Sequence, residues 1–228
     1  MNASRFEAVI FDCDGVLVDS EVLAIRGERR VLNEMGLDYT PAEYVRRFVG
    51  LHDDAFIDAV GVDYRSVLGV EPPADLGDQV IAGRRDEMGA LTAIDGAATA
   101  LRAVRNLEKA IAIASSSRAH FLERKLKKTA LWEDAKPHVY SADLVAHGKP
   151  APDIFIYTAE KLGIAPEKCL VIEDSENGVK AGIAAGMTVW GFLGGGHCYD
   201  GHGDRLRGAG ASETIQNFTA LTGALARV

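Results

Sequence analysis

The sequence predicts an α/β protein with a parallel-sheet core and an inserted helical module, on three observations. The apolar run from Ala8 to Phe11 has the character of a buried strand. From about residue 94 onward, short apolar runs alternate with amphipathic helical patterns, which is typical of βαβ units and a parallel sheet covered on both faces. Residues 19–91 show helical patterns and no convincing strand. The first strand is therefore expected to join the sheet formed by the strands after residue 91.

Amphipathic segments predict the helices of the module. Residues 21–35 mix apolar and charged side chains, and Gly36 suits a helix C-terminus. Thr40-Pro41 predicts the next helix start, because proline is favoured in a first turn. Further amphipathic segments lie at 44–48, 53–60 and 75–88.

The remainder of the chain predicts the core, which we assign to residues 1–18 and 92–228, with 19–91 as the helical domain. Strands are predicted at 8–11, 110–114, 139–140, 170–172 and 187–192, and helices at 97–106, 118–128, 153–162 and 177–185. The glycine-rich stretch 194–203 predicts a flexible surface loop. Its His197, Cys198 and His202 match no zinc-ligand spacing.

Composition narrows the functional classes. The chain has 228 residues and a net charge of −8, which disfavours nucleic-acid binding, since such proteins usually present a basic face. No segment approaches the ~18 apolar residues of a membrane span, and the N-terminus lacks a signal-peptide pattern. Three scattered cysteines suggest reduced thiols, with Cys13 packed as a small hydrophobe, and a cytoplasmic protein. We expect a monomer.

Two carboxylates follow the first strand one residue apart. Asp12 and Asp14, with Gly15 next, lie where the chain leaves the sheet. Two like charges this close need a cation between them or a proton on one of them. They could hold a divalent metal, act as nucleophile and acid, or belong to an Asp-rich turn.

Polar residues also follow two later strands. Ser115 and Ser116 follow residues 110–114, where they could bind an anion or cap the next helix. Glu173 and Asp174 follow residues 170–172, and Lys149 lies in a loop between a glycine and a proline. Ligands of open α/β sheets bind outside the carboxyl ends of the strands, so these residues are expected to converge. Oxygen ligands favour Mg²⁺, and a metal, an anion site, a lysine and a carboxylate nucleophile together indicate phosphoryl transfer.

The set resembles the haloacid dehalogenase-like phosphohydrolases. Their pattern is Asp-x-Asp-Gly after the first strand, Ser or Thr after the second, a later Lys and a final acidic pair. The resemblance implies a Rossmann-like core with an inserted helical cap of the C1 type, as in the phosphoglycolate phosphatase and β-phosphoglucomutase branch. It covers nearly the whole chain.

The resemblance also implies a role for each core residue. Asp12 would attack phosphorus, and Asp14 would act as acid and then base. Ser115, with Ser116, would hold the phosphoryl oxygens, and Lys149 would neutralise charge on the nucleophile and the phosphoryl group. Mg²⁺ would be bound by Asp12, Asp14 and Asp174, with Glu173 binding directly or through water.

The implied activity is hydrolysis of a small phosphorylated metabolite, namely a sugar, sugar-acid or polyol phosphate. Asp14 argues against dehalogenation, because the dehalogenases of this superfamily lack the second aspartate. The mutase branch carries a His where this chain has Ala24 and an Arg where it has Asp53, which favours a hydrolase. A mutase and a non-catalytic phospho-ligand sensor stay as alternatives.

Substrate recognition is expected from the cap and from the rim of the core. Each candidate is a charged or hydrogen-bonding side chain that lies near one of the motifs or in the predicted cap. They are Glu21, Arg46, Arg47, His52, Arg84, Arg85 and Arg118.

Overall fold

A computed structural model of the protein describes residues 6–48 and 53–227, and of Asp53 only the backbone. His52 and the side chain of Asp53 therefore lie outside the described residues. The chain forms two compact units, one made of Met1–Asp19 with Thr92–Val228 and one made of Ser20–Leu91. None of the described helices is long and apolar enough to cross a membrane.

A six-stranded, wholly parallel sheet forms the centre of the first unit. Its order is β3-β2-β1-β4-β5-β6, so β1 lies between β2 and β4. Most strand residues are fully buried, as a sheet covered on both faces requires. The strands are β1 (Ala8–Phe11), β2 (Ala110–Ser115), β3 (Val139–Ser141), β4 (Cys169–Glu173), β5 (Thr188–Phe192) and β6 (Glu213–Ile215).

The described residues of the second unit form helices joined by short connections and contain no strand, as the sequence predicts. Its helices are α1 (Ser20–Glu34), α2 (Pro41–Phe48), α3 (Asp53–Leu68) and α4 (Leu76–Glu87). Helices α1 and α4 pack closely because both carry a glycine at the crossing. A Cβ on Gly83 would lie 2.7 Å from the carbonyl oxygen of Gly27. Tyr39 meets Tyr44 and Phe48 edge to face, and Tyr44 and Phe48 meet at a tilt.

The helices of the first unit cover the two faces of the sheet. They are α5 (Ala97–Asn106), α6 (Ala119–Lys128), α7 (Trp132–Ala135), α8 (Asp153–Leu162), α9 (Glu176–Ala184), α10 (His202–Ala209) and α11 (Phe218–Leu225). The predicted α/β class with a helical insertion after the first strand is thus confirmed.

The prediction of a flexible surface loop over 194–203 is wrong in part. His197 and His202 are buried, and α10 begins at His202. The high glycine content suggested flexibility, but glycine also allows two segments of backbone to pack closely. A Cβ on Gly195 would lie 2.7 Å from the carbonyl oxygen of Gly15, so the segment packs against the chain that leaves β1. Four further elements were not predicted from the sequence, namely α7, α10, β6 and α11.

Candidate active site

Asp12 and Lys149 meet at the carboxyl end of β1. The Nζ of Lys149 lies 2.5 Å from Asp12 Oδ1 and 2.8 Å from Glu173 Oε2, and it also donates to the carbonyl oxygen of Ala114 at 3.1 Å. These contacts join the ends of β1, β2 and β4 to one loop lysine. All three charged side chains are no more than 8 % exposed. The sequence-predicted convergence of these residues is therefore present in the structure.

The cluster contains more acidic groups than basic ones, since Asp12, Glu173 and Asp174 surround the single cation of Lys149. Burial raises the pKa of Asp12 well above its ordinary value, and Lys149 offsets only part of that shift. Burial likewise raises the pKa of Glu173. For Lys149, burial acts to lower the pKa, but Asp12 and Glu173 outweigh it and raise the pKa, so the lysine stays charged.

The acidic pair after β4 has two different environments. Glu173 accepts from Lys149 through Oε2 and from the Ser175 hydroxyl through Oε1 at 2.7 Å. A Cβ on Gly178, in the first turns of α9, would overlap the Glu173 carboxylate. Asp174 is 4 % exposed and contacts an imidazole instead of the lysine. Glu173 is thus built as an anchor for Lys149, whereas Asp174 faces other partners.

A donor set suitable for a metal ion lies in the same place. Asp12, Glu173 and Asp174 each offer a carboxylate oxygen, and these atoms lie within 4.8 Å of one another. Buried carboxylates in excess of buried cations fit a hard divalent ion, because such an ion replaces their lost hydration. This acidic cluster could therefore bind a metal.

Asp14 is held by one residue of the turn after β2 and one residue of α6. The Ser117 hydroxyl donates to Asp14 Oδ2 at 2.7 Å, and Lys125 forms an ion pair with Oδ1. Lys125 also contacts the Ser117 oxygen at 2.9 Å. The sequence analysis missed Lys125. The available signal was its position on the apolar face of α6, between the buried residues Leu122 and Leu126.

Ser115 and its neighbours form the turn after β2. Ser115 is fully buried, and its Oγ accepts the backbone N–H of Ser117 at 3.0 Å. Ser116 is exposed directly after the strand, and Arg118 is exposed at the start of α6. Ser115 thus has the turn-stabilising contact that the sequence analysis weighed against anion binding.

Two histidines contact Asp174, and the sequence analysis assigned a site role to neither. His197 Nε2 lies 2.8 Å from Asp174 Oδ2, and His202 Nε2 lies 2.7 Å from the Asp174 carbonyl oxygen. Burial acts to lower the pKa of His197, but the hydrogen bonds to Asp174 and Cys198 raise it to about 11. The only sequence signal for these contacts was the presence of histidine and cysteine side chains in the segment 194–203.

Two of the candidate substrate residues of the helical unit form ion pairs inside that unit. Arg47 pairs with Asp63, and Arg84 pairs with the buried Glu28. Glu21 lies in the first turn of α1, where its charge complements the helix dipole. Arg46 and Arg85 are exposed in the last turns of α2 and α4.

Comparison with known proteins decides the family. A model of haloacid dehalogenase-like hydrolases matches residues 6–186. The chain belongs to this family. A curated relative, the 6-phosphogluconate phosphatase of Escherichia coli (strain K12), is 30% identical over 199 residues, covering 87% of this chain and 86% of that protein. The chain is accordingly a phosphoric monoester hydrolase of the haloacid dehalogenase-like family.

Solved structures share the whole architecture. One is a haloacid dehalogenase family hydrolase from Deinococcus radiodurans R1 with bound phosphate and sodium. It is 38% identical, has a TM-score of 0.87, and the match covers 99% of this chain and 97% of that one. Another is a structure described as a β-phosphoglucomutase from Thermotoga maritima, which is 29% identical to this chain with a TM-score of 0.76. That match covers 98% of this chain and 100% of that one.

Proposed function

We propose that the protein is a Mg²⁺-dependent phosphatase that hydrolyses a small phosphorylated sugar, sugar acid or polyol through an aspartyl-phosphate on Asp12. The observation that carries the proposal is the buried cluster at the ends of β1 and β4, where Lys149 bridges Asp12 and Glu173 beside Asp174. The 6-phosphogluconate phosphatase among its relatives supports a carbohydrate-type substrate.

The first step forms a bond between an Asp12 carboxylate oxygen and phosphorus, and breaks the bond between phosphorus and the leaving alcohol. Asp14 donates the proton that the alcohol oxygen needs. Lys149, held by Glu173, offsets the negative charge that Asp12 and the phosphoryl group bring together. The Ser115 hydroxyl accepts from Ser117 and has its own proton to donate to a phosphoryl oxygen.

The second step hydrolyses the aspartyl-phosphate. Asp14, now a carboxylate, takes a proton from the attacking water, and Asp12 leaves as a carboxylate when phosphate departs. Ser117 and Lys125 hold the Asp14 carboxylate for this role. The balance of the two steps is one water consumed, with alcohol and phosphate released.

Asp12, Asp174 and the backbone carbonyl of Asp14 would hold Mg²⁺, with Glu173 acting through Lys149. When bound, Mg²⁺ supplies Lewis-acid stabilisation of negative charge on the phosphoryl oxygens.

The test is phosphate release from p-nitrophenyl phosphate and from a panel of sugar, sugar-acid and polyol phosphates, with Mg²⁺ or with EDTA. Asp12→Asn should lower turnover by roughly 10³-fold or more, because it removes the nucleophile. Release that persists in EDTA or in Asp12→Asn would refute the mechanism. A folded, Mg²⁺-binding protein that hydrolyses nothing in the panel would favour the sensor alternative.

A mutase is the second candidate, because the Thermotoga maritima structure named above shares the fold along the whole chain. Its signature is isomerisation of a sugar phosphate that requires a sugar bisphosphate activator and releases no net phosphate. We expect net phosphate release without an activator. The opposite result would replace hydrolysis by mutase activity and leave the role of Asp12 intact.

A further inference from the structure

The segment between β5 and α10 holds Asp174 at two of its atoms. His197 contacts the side chain through Oδ2, and His202 contacts the backbone carbonyl oxygen. The two imidazoles are 3 % and 6 % exposed, and their rings meet edge to face with centroids 5.5 Å apart. No step of the proposed hydrolysis uses either histidine.

Arg205 fixes which nitrogen of His202 carries the proton. Its guanidinium nitrogen lies 2.8 Å from His202 Nδ1, and a guanidinium can only donate hydrogen bonds. Nδ1 is therefore the acceptor, and Nε2 carries the hydrogen that His202 donates to the Asp174 carbonyl. Arg205 is in turn paired with Glu176 at 3.4 Å. A chain of polar contacts thus runs from Glu176 through Arg205 and His202 to Asp174.

His197 controls the other end of Asp174. Its Nε2–H donates to Oδ2, so Oδ1 is the carboxylate oxygen that this contact does not use. Among the described residues, the buried Nδ1 of His197 has no hydrogen-bond partner. The polar contacts of this ring among the described residues are therefore made by Nε2, at 2.8 Å to Asp174 Oδ2 and at 3.7 Å to Cys198 Sγ.

The segment that carries His197 is itself fixed to the chain leaving β1. The backbone N–H of Gly196 donates to Asp19 Oδ1 at 2.9 Å. Gly195 approaches the Gly15 carbonyl closely enough that a Cβ would lie 2.7 Å from it. His197 is thus held by the same loop that presents Asp12 and Asp14.

We propose that His197 and His202 are positioning residues that orient Asp174 as a metal ligand, with Oδ2 held by His197 and Oδ1 directed to the metal. The inference rests on the proposed function, since it needs Asp174 to bind the metal. Ligating carboxylates are generally fixed by such outer hydrogen bonds, and losing one typically weakens metal affinity by about 10–100-fold.

A competing explanation uses the same residues as ligands. His197, Cys198 and His202 offer nitrogen and sulfur atoms within 4.8 Å of one another, a donor set that suits zinc. Both nitrogens of His202 already have partners, however, and His197 Nε2 is engaged with Asp174. A metal there would have to break these contacts, so the observations favour positioning.

The test measures Mg²⁺ binding directly, by isothermal titration calorimetry on the metal-free protein. His197→Leu removes the donor, and His197→Gln keeps an amide N–H close to the position of Nε2. We expect His197→Leu to weaken Mg²⁺ binding by about 10–100-fold and His197→Gln to recover most of the loss. Cys198→Ser removes the thiol that the ligand explanation needs and keeps a hydroxyl beside His197 Nε2, so it should change Mg²⁺ binding much less than His197→Leu does. Circular dichroism in EDTA confirms that each variant is folded.

Activity measurements separate this inference from the proposed function. In His197→Leu the Mg²⁺ concentration for half-maximal phosphatase activity should rise with the dissociation constant, while turnover at saturating Mg²⁺ changes less. Parent-like Mg²⁺ binding in His197→Leu, or equal damage in the Leu and Gln variants, would overturn positioning. Tight Zn²⁺ binding by the parent that Cys198→Ser abolishes would overturn it in favour of the ligand explanation. An inactive parent whose Mg²⁺ affinity still depends on His197 would refute the phosphatase and leave positioning intact.

Discussion

The two units of the molecule differ in how deeply their charged side chains are buried. In the sheet unit, Asp12, Glu173 and Asp174 are buried together around a lysine that lies 137 residues from Asp12 in the sequence. In the helical unit most ion pairs are exposed, such as Arg30 with Glu34 and Arg65 with Glu71. Exposed pairs add little to stability, whereas buried charge is expensive to keep. The difference indicates that the sheet unit retains its buried charges for chemistry.

Lys149→Met should give the largest effect, because it leaves two buried carboxylates without their cation. We expect a loss of turnover of about 10²–10³-fold and a decrease in the free energy of unfolding of about 3–5 kcal/mol in EDTA. Lys168→Met is the matched control, since Lys168 pairs with Glu7 at the exposed surface of the same unit. Phosphatase assays and urea denaturation measure both effects. Equal behaviour of the two variants would contradict the contrast between buried and exposed charge.

The sequence could predict this buried cluster because parallel strands fix where their ends lie. Asp12, Ser115 and Glu173 each follow an apolar run, and parallel topology brings such ends to one edge. His197 and His202 could not be placed in the same way. The chain between β5 and α10 is irregular and has no period that would assign its side chains to the interior. Lys125 could not be assigned to the site from the sequence either, because a lysine on a helix is ordinarily solvated.

Substitution of Gly178 would show whether the Glu173 anchor matters. A Cβ at 178 would overlap the Glu173 carboxylate, so Gly178→Ala must displace either Glu173 or α9. We expect a loss of about 1–3 kcal/mol in the free energy of unfolding, as for other overpacked sites, and reduced turnover. Gly208→Ala in α10 is the control, because a Cβ there meets nothing within 4 Å. It should be neutral or stabilising by up to ~1 kcal/mol, since alanine favours a helix more than glycine does.

Glu28 is a buried charged residue in the helical unit, so it tests whether buried charge in this protein always serves chemistry. It is buried, accepts a hydrogen bond from the Tyr44 hydroxyl and pairs with Arg84. We expect Glu28→Ala to lower the free energy of unfolding by about 1–3 kcal/mol, because two polar partners lose their acceptor. Turnover below the unfolding transition should change little. Glu34→Ala removes an exposed carboxylate of the same helix and should leave the unfolding midpoint unchanged. A loss of turnover in Glu28→Ala as large as in Lys149→Met, without a loss of stability, would assign chemistry to the helical unit too.

The smallest expected effect, taken per pH unit, is a pH dependence of the stability of the metal-free protein. Burial raises the pKa of Asp12 and Glu173 in the folded state. Their contribution to stability is therefore complete below the unfolded-state values near ~4 and is lost as pH rises through the folded-state values. His197 acts in the same direction between its unfolded-state value of ~6.5 and its raised pKa of about 11.

The resulting loss of stability is at most ~1.4 kcal/mol per pH unit for each group. Urea denaturation in EDTA from pH 4 to pH 8 measures it, and Asp12→Asn should give a shallower slope than the parent because one of these carboxyls is gone. Saturating Mg²⁺ should flatten the parent curve, since the metal stabilises the ionised carboxylates that burial disfavours. Parallel curves for parent and variant in EDTA would show that Asp12 does not titrate with folding. Lys149 would then compensate the Asp12 carboxylate fully, and the excess negative charge argued for the metal site would have to come from Glu173 and Asp174.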